Sequence, residues 1–307
     1  MPRPRRRGSA KSSAVVKQSR NPSAPRAPRG RLLDCLTTTP CFHPQSMDGA
    51  LAPGSVAALA GSGFAAGVMN ALAGGGTILT FPALVLLGMD TVRANATSTV
   101  ALLPGAAASL WTLRRETATH REWLRKLFVP SVVGGTAGSV LLLLTPEKLF
   151  ATLAPWLVLF ATLLFFSQIV AGRRAPGETS ATDSAGVPSS RLAVAGLAQF
   201  GVAVYGGYFG AGIGIMMLVL LGSLGLRDIL AMHGLKNFLG MTINAMACAC
   251  FVAAGLVEWP AALLMAAGAA LGGLAGARFA RHVGQAKARW AVVVVGLVVT
   301  AAMLAQR

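Results

Sequence analysis

Acidic residues are scarce in this chain, and none stands inside an apolar run. There are ten Asp and Glu among 307 residues. Asp90, Asp228, Glu147 and Glu258 all fall where apolar runs begin or end. This excludes an intramembrane carboxylate relay or a sodium site built from Asp or Glu. Histidine is nearly as rare, with four in the chain and only His233 within a run. An intramembrane hydrolase needs a Ser with a His, or two aspartates, at one depth, so no catalytic residue is assigned. The chain has no GxxxxGK[ST] phosphate loop, which excludes an ATP-driven pump within it. Of four cysteines, Cys35 and Cys41 stand in a polar tail and Cys248 and Cys250 in an apolar run. That distribution makes neither a disulfide framework nor a metal set, and no cofactor is expected.

What the chain has is apolar surface. It is 54% hydrophobic and 12% charged, with a mean hydropathy of +0.62, more apolar material than a soluble core of this length requires. The lipid bilayer is therefore part of its solvent. The net charge of +17 does not signal a nucleic-acid partner for the bundle. Residues 1 to 46 hold ten Lys/Arg and one acid, 10 − 1 = +9, and the remaining 17 − 9 = +8 lies largely between apolar runs as loop anchors.

Residues 1–50 read as a disordered basic tail, too poor in apolar residues to fold alone. A polybasic arm for anionic lipid or nucleic acid is one reading, a targeting peptide another, and translation starting at Met47 a third. From Leu51, apolar runs lie near 54–73, 76–89, 92–113, 127–145, 149–171, 191–209, 211–225, 228–256, 259–280 and 289–305. A span takes about 20 residues, so 76–89 and 211–225 are broken or re-entrant segments. The fold class is all-α, a polytopic membrane bundle of about eight spans and two short segments. Residues 51–172 form a first repeat, 173–190 a polar cytoplasmic linker and 191–307 a second repeat. A homo-oligomer is compatible with such a bundle.

The joint 114–126 is basic, as are Arg173 and Arg174 and the group Arg278, Arg281, Lys287 and Arg289. The positive-inside rule puts these in the cytoplasm, and the charge-poor joints TPEK (145–148) and LVEWP (256–260) outside. If all ten runs crossed, five per half would invert the second half and put the amino terminus outside, against its own +9. Either the tail is absent or one short run does not cross.

The repeat shows in the glycines. GFAAGVMNALAGGG (63–76) lies on GVAVYGGYFGAGIG (201–214) at an offset of 138, pairing Gly74 with Gly212 and Gly76 with Gly214. After each comes a short run, a joint with one Arg and one Asp, and a long run with polar groups near its start. There an offset of 139 puts Thr97 on Lys236, Ser98 on Asn237 and Gly105 on Asn244. Paired glycine-broken short runs point to a transporter site at the repeat interface. Where Gly74, Gly75 and Gly76 break a helix, the next run opens at Thr77 with unpaired N–H groups and a positive dipole end, which can hold an anion. The second break, with Gly210, Gly212 and Gly214, repeats the device. Close helix packing is the alternative role for any one of these glycines.

Backbone freed in the hydrocarbon must line water or protein, so polar residues near the breaks are candidates. Asn70, Thr77, Asn95, Thr97, Ser98 and Thr99 accompany the first, and Tyr205, Tyr208, His233, Lys236, Asn237 and Asn244 the second. A Lys deep in a span costs about 2.5 to 3.5 kcal/mol, which ligand binding would justify. Lys236 lies only about eight residues into its run, roughly 12 Å, so snorkelling to the interface is the other reading. An interfacial or packing role suits His233 better than a ligand role.

The segments GFAAGVMNALAGGGTILTFPALVLLG, ANATSTVALLPG, GGYFGAGIGIMMLVLLGSLGL, LKNFLGMTINAMACACFVAAGLVEW and GARFA, in that order, resemble the TauE/SafE sulfite exporter family, also called the four-TMS toluene sulfonate uptake permease family. The resemblance implies a multi-pass transporter of the bacterial inner membrane that moves small sulfur-containing anions such as sulfite, sulfonates or sulfoacetate. The break 74–76, Thr97, Ser98, the break 206–214, Lys236 and Asn237 match the family's motif positions. GAGIG departs from the denser glycine run common at the second break. Export needs no cation gradient, because an inside-negative potential favours anion exit by about 2.3 kcal/mol per charge per 100 mV. An anion channel and a non-transporting membrane scaffold are the alternatives.

Overall fold

The computed structural model describes residues 53–72, 74–112, 121–171, 189–226, 229–279 and 285–305. The tail, most of the linker, Cys35, Cys41, Arg227 and Asp228 lie outside the described residues. Ten helices follow the ten apolar runs: α1 Pro53–Leu72, α2 Thr77–Leu86, α3 Thr91–Thr112, α4 Arg121–Leu144, α5 Glu147–Ala171, α6 Ser189–Tyr208, α7 Ile213–Ser223, α8 Ile229–Ala253, α9 Trp259–Phe279 and α10 Gln285–Ala305. No strand occurs among the described residues. Eight helices have 20 to 25 residues and α2 and α7 have 10 and 11. A helix of 20 residues spans about 30 Å, the hydrocarbon thickness. Four helices, α4, α5, α8 and α9, are long and apolar enough to cross by length and composition alone. Helix α3 carries polar residues into the interior, where Asn95, Thr97, Ser98 and Thr99 are buried. Helix α5 shows the lipid side, where Leu149, Leu153, Trp156, Phe160 and Leu163 make an exposed stripe at helical spacing. Helices α4 and α10 begin earlier than the apolar count expects, because Lys, Arg, Glu and Gln at their starts are good helix formers.

Close-packed glycines fix helix directions. Alanine carbons at Gly63, Gly67 and Gly276 would meet Met265, Ala269 and Val68, so α1 runs parallel to α9. At Gly134 and Gly138 they would meet Ala203 and Val204, so α4 runs parallel to α6. The Glu147 carboxylate caps the start of α3, accepting from the Thr91 N–H at 2.7 Å and hydroxyl at 2.6 Å. The Glu258 N–H donates to Thr97 Oγ1 at 3.1 Å, and the Arg93 guanidinium pairs with Glu258 at 3.7 Å. Thus α3, α5 and α9 all start at the charge-poor end. Helix α1 descends from that end, α2 returns to it, and α6 and α7 do the same from the basic end. The second half is inverted relative to the first, and both short runs turn back instead of crossing. Helix α1 itself still begins at the charge-poor end.

The fourth helix of each half packs in the other half. Helix α4 lies against α6 and α8, and α9 against α1 and α3. Each bundle is therefore completed by a helix from the opposite repeat, and α5 and α10 pack on each other.

Candidate functional site

The two breaks close with the same hydrogen bonds. Gly74, at φ 74°, donates to the Met69 carbonyl at 3.1 Å, and Gly210, at φ 81°, to the Tyr205 carbonyl at 3.4 Å. Each is a six-to-one hydrogen bond at a helix end whose donor is itself left-handed, a conformation glycine adopts without strain. Gly76 and Gly212 then precede α2 and α7. The structural register is 210 − 74 = 136 and 212 − 76 = 136, which corrects the offset of 138 read from glycine matches. Glycines are frequent enough for a sequence alignment to settle two residues away from the backbone equivalence. Farther on, Gly134, Gly135 and Gly138 of α4 correspond to Gly272, Gly273 and Gly276 of α9. Gly135 abuts Ile243 and Gly273 abuts Gly105, which gives 243 − 105 = 138. Ser98, not Thr97, therefore occupies the place of Lys236, a correction of one residue.

The breaks meet α3 and α8 at one cavity of about 60 Å³, room for roughly four water molecules. Asn70, Gly74, Gly75, Thr77, Gly210, Gly214, Lys236, Asn237 and Asn244 line it. The remaining wall is Leu102, Ala106, Ile213, Gly240 and Met241, which the sequence reading missed. Their signal was spacing: Lys236, Gly240 and Asn244 make one face of α8, with Asn237 and Met241 beside it. Gly76 and Gly212 sit behind the cavity, Gly76 against the Ala66 carbonyl and Gly212 against Ala161. Thr97 and Ser98 do not line it. Both are buried, with Thr97 bonded to the Glu258 N–H and the Ser98 hydroxyl 2.5 Å from that of Thr80.

Lys236 is 5% exposed and turned into the bundle. Carbons placed on Gly74 and Gly214 would lie 3.7 and 3.8 Å from its Nζ, so the ammonium stands between the two breaks. The first turns of α2 (Thr77) and α7 (Ile213, Gly214) open onto the same space, and among the described residues no carboxylate lines it. The Asn70 side-chain oxygen accepts from the Gly75 N–H at 3.2 Å and ties α1 to the break.

Toward the charge-poor end, where α3 and α5 start, aromatic rings cluster. Phe81, Phe150 and Phe209 are fully buried and contact one another, with Tyr208 at their edge. Asn95, 1% exposed, donates to the Tyr208 carbonyl at 3.1 Å and joins α3 to the end of α6. Among the described residues no cluster of His, Cys, Asp or Glu could hold a metal.

Two inverted halves that each send a broken helix to one polar cavity define a multi-pass membrane transporter. The sequence profile described as "Sulfite exporter TauE/SafE" matches residues 59–303, and the chain belongs to that family. A "Probable membrane transporter protein" of Haemophilus influenzae is 30% identical over 247 residues, covering 79% of this chain and 91% of that one. "Probable membrane transporter protein YfcA" of Escherichia coli K12 is 27% identical, covering 78% and 86%. "Probable membrane transporter protein ORF9" of a Sinorhizobium species is 27% identical, covering 79% and 89%. No solved structure matches.

Proposed function

We propose that the protein moves small sulfur-containing anions such as sulfite, sulfonates or sulfoacetate across the bacterial inner membrane, as a secondary transporter or facilitator working toward export. The observation that carries this reading is the convergence of three positive sources, the Lys236 ammonium and the starts of α2 and α7, on a cavity that no carboxylate among the described residues lines. Such a place attracts an anion and repels a cation. Backbone N–H groups at Thr77 and Ile213 coordinate the anion, the amides of Asn70, Asn237 and Asn244 orient it, and Lys236 supplies charge. Thr97 and Ser98 act behind the site, by holding α3. Because α4 and α9 are exchanged, the bodies that rock are α1 to α3 with α9 and α6 to α8 with α4. Sidedness follows the basic joints, which places the charge-poor end outside.

The test is flux of labelled sulfite, a sulfonate and chloride in proteoliposomes, with and without an imposed potential. Saturable movement of a sulfur oxyanion that responds to potential is expected. Folded protein that moves none of the three would overturn the substrate class, and rates that do not saturate would favour a channel.

A further inference from the structure

Resting on that reading of the cavity as a transport site, we infer that Asn95 is an outer latch: its amide holds the two moving bodies together at the charge-poor end, and the cavity opens outward only when that bond parts. Asn95 stands on α3, in the body of α1 to α3 with α9. It donates to the Tyr208 carbonyl at 3.1 Å, at the end of α6 in the other body. Two other bonds at this end stay within a body. The Glu258 N–H to Thr97 joins the start of α9 to α3, and the Tyr208 hydroxyl to Thr145 joins α6 to the end of α4. The next residue adds a ring pair that crosses too, Phe209 with Phe81 of α2, centroids 5.4 Å apart. The latch stands in line with the cavity. Asn95, Leu102 and Ala106 share one face of α3, the last two line the cavity, and Asn95 lies about 10 Å nearer the charge-poor end than Leu102.

The bond is made to part. Asn95 is 1% exposed, and its Oδ1 is buried with no hydrogen-bond partner among the described residues. A buried acceptor left unmade costs about as much as the other bond gains, so the closed arrangement is held by a small margin. Water entering on opening satisfies both ends of the amide. The opposite end of the molecule is made differently. The repeat offsets place His233 at the position of Asn95 (233 − 95 = 138), and Met217 and Ala73 at those of Phe81 and Phe209 (217 − 81 = 136 and 209 − 73 = 136). No ring pair can form there, and His233 is half-buried where Asn95 is closed off. Along the cavity face of α3, likewise, Asn95 and Leu102 are buried and Ala106, toward the basic end, is half-buried. The two ends are latched unequally, so the cavity at rest is shut outside and faces the cytoplasm, the side from which an exporter loads.

The test places a cysteine at Ala106, a cavity-lining position with no assigned part in binding, in a full-length chain freed of its own cysteines. Ala106→Cys is reacted with a membrane-impermeant sulfonatoethyl methanethiosulfonate in intact cells and in inside-out vesicles. The thiol should react readily from the cytoplasmic face and slowly from outside. Adding Asn95→Ala should raise the outside rate about threefold to tenfold, the worth of one hydrogen bond, without raising the cytoplasmic rate. Phe209→Ala, which removes the ring pair instead, should act in the same direction and serves where Asn95→Ala does not fold. Loosened packing would raise both rates together. Such a parallel rise, equal rates from the two faces in the parent protein, or no change in either variant would overturn the latch and leave the transport reading standing. A thiol that reacts from neither face in folded parent protein would overturn that reading of the cavity along with the latch.

Discussion

At the scale of residues, Lys236 separates the two readings that its sequence position allowed. Eight residues into a helix is shallow enough to snorkel, and only the approach of the breaks to its ammonium shows the side chain turned inward. Lys236→Gln removes charge-assisted contacts of about 1.5 to 3 kcal/mol each, so half-saturating substrate should rise roughly 10-fold to 100-fold with expression unchanged. Equal flux in the variant would return the residue to a structural role. Ser98 makes the opposite prediction. Its hydroxyl bonds Thr80 away from the cavity, so Ser98→Ala should lower the melting temperature through a loss of about 1 kcal/mol while flux per folded molecule stays the same. Thr97 and Ser98 were legible as buried polar groups, but that both stay off the cavity wall depends on the rotation of α3. A one-residue error in register turns a helix by 100°, enough to mistake one for the other.

At the scale of elements, the ten runs and the two short broken ones could be read from the chain because lipid demands about 20 apolar residues per span and glycine marks the exceptions. The exchange of α4 and α9 could not. Nothing in the apolar period of a membrane helix says which neighbour it meets, and small residues report only that some backbone comes close. Gly138 is such a place, since a Cβ there would stand 2.0 Å from the Val204 carbonyl. Gly138→Ala should destabilise the protein by about 1 to 3 kcal/mol, seen as lost monodisperse material in detergent. Gly196→Ala, with its nearest neighbour the Pro130 ring at 3.9 Å, should leave that yield unchanged. Equal losses would mean that α4 does not pack on α6 as described.

At the scale of the whole molecule, the inverted halves give sidedness. The joints at Asp90 and Lys148 lie at one end and those at Lys126 and Ser223 at the other. Single cysteines at 90 and 148, in a chain freed of its own cysteines, should react with a membrane-impermeant maleimide in intact cells, and those at 126 and 223 only after permeabilisation. Cysteines at 90 and 126 reacting from the same side would contradict the crossing of α3. The loop charges already ordered these ends in the sequence. The return of both short runs was not legible there, because a run of 10 or 11 residues carries no mark of whether it turns back.

The central claim is that one anion sits between the two breaks, and the most direct measurement is to locate it by the anomalous scattering of selenium in crystals soaked with selenite, a sulfite analogue of the same charge and shape. The account predicts a single strong peak within about 4 Å of the Lys236 ammonium, bounded by Gly74 and Gly214, that disappears in Lys236→Gln. A peak elsewhere in the bundle, or none in crystals of protein that transports selenite, would contradict it.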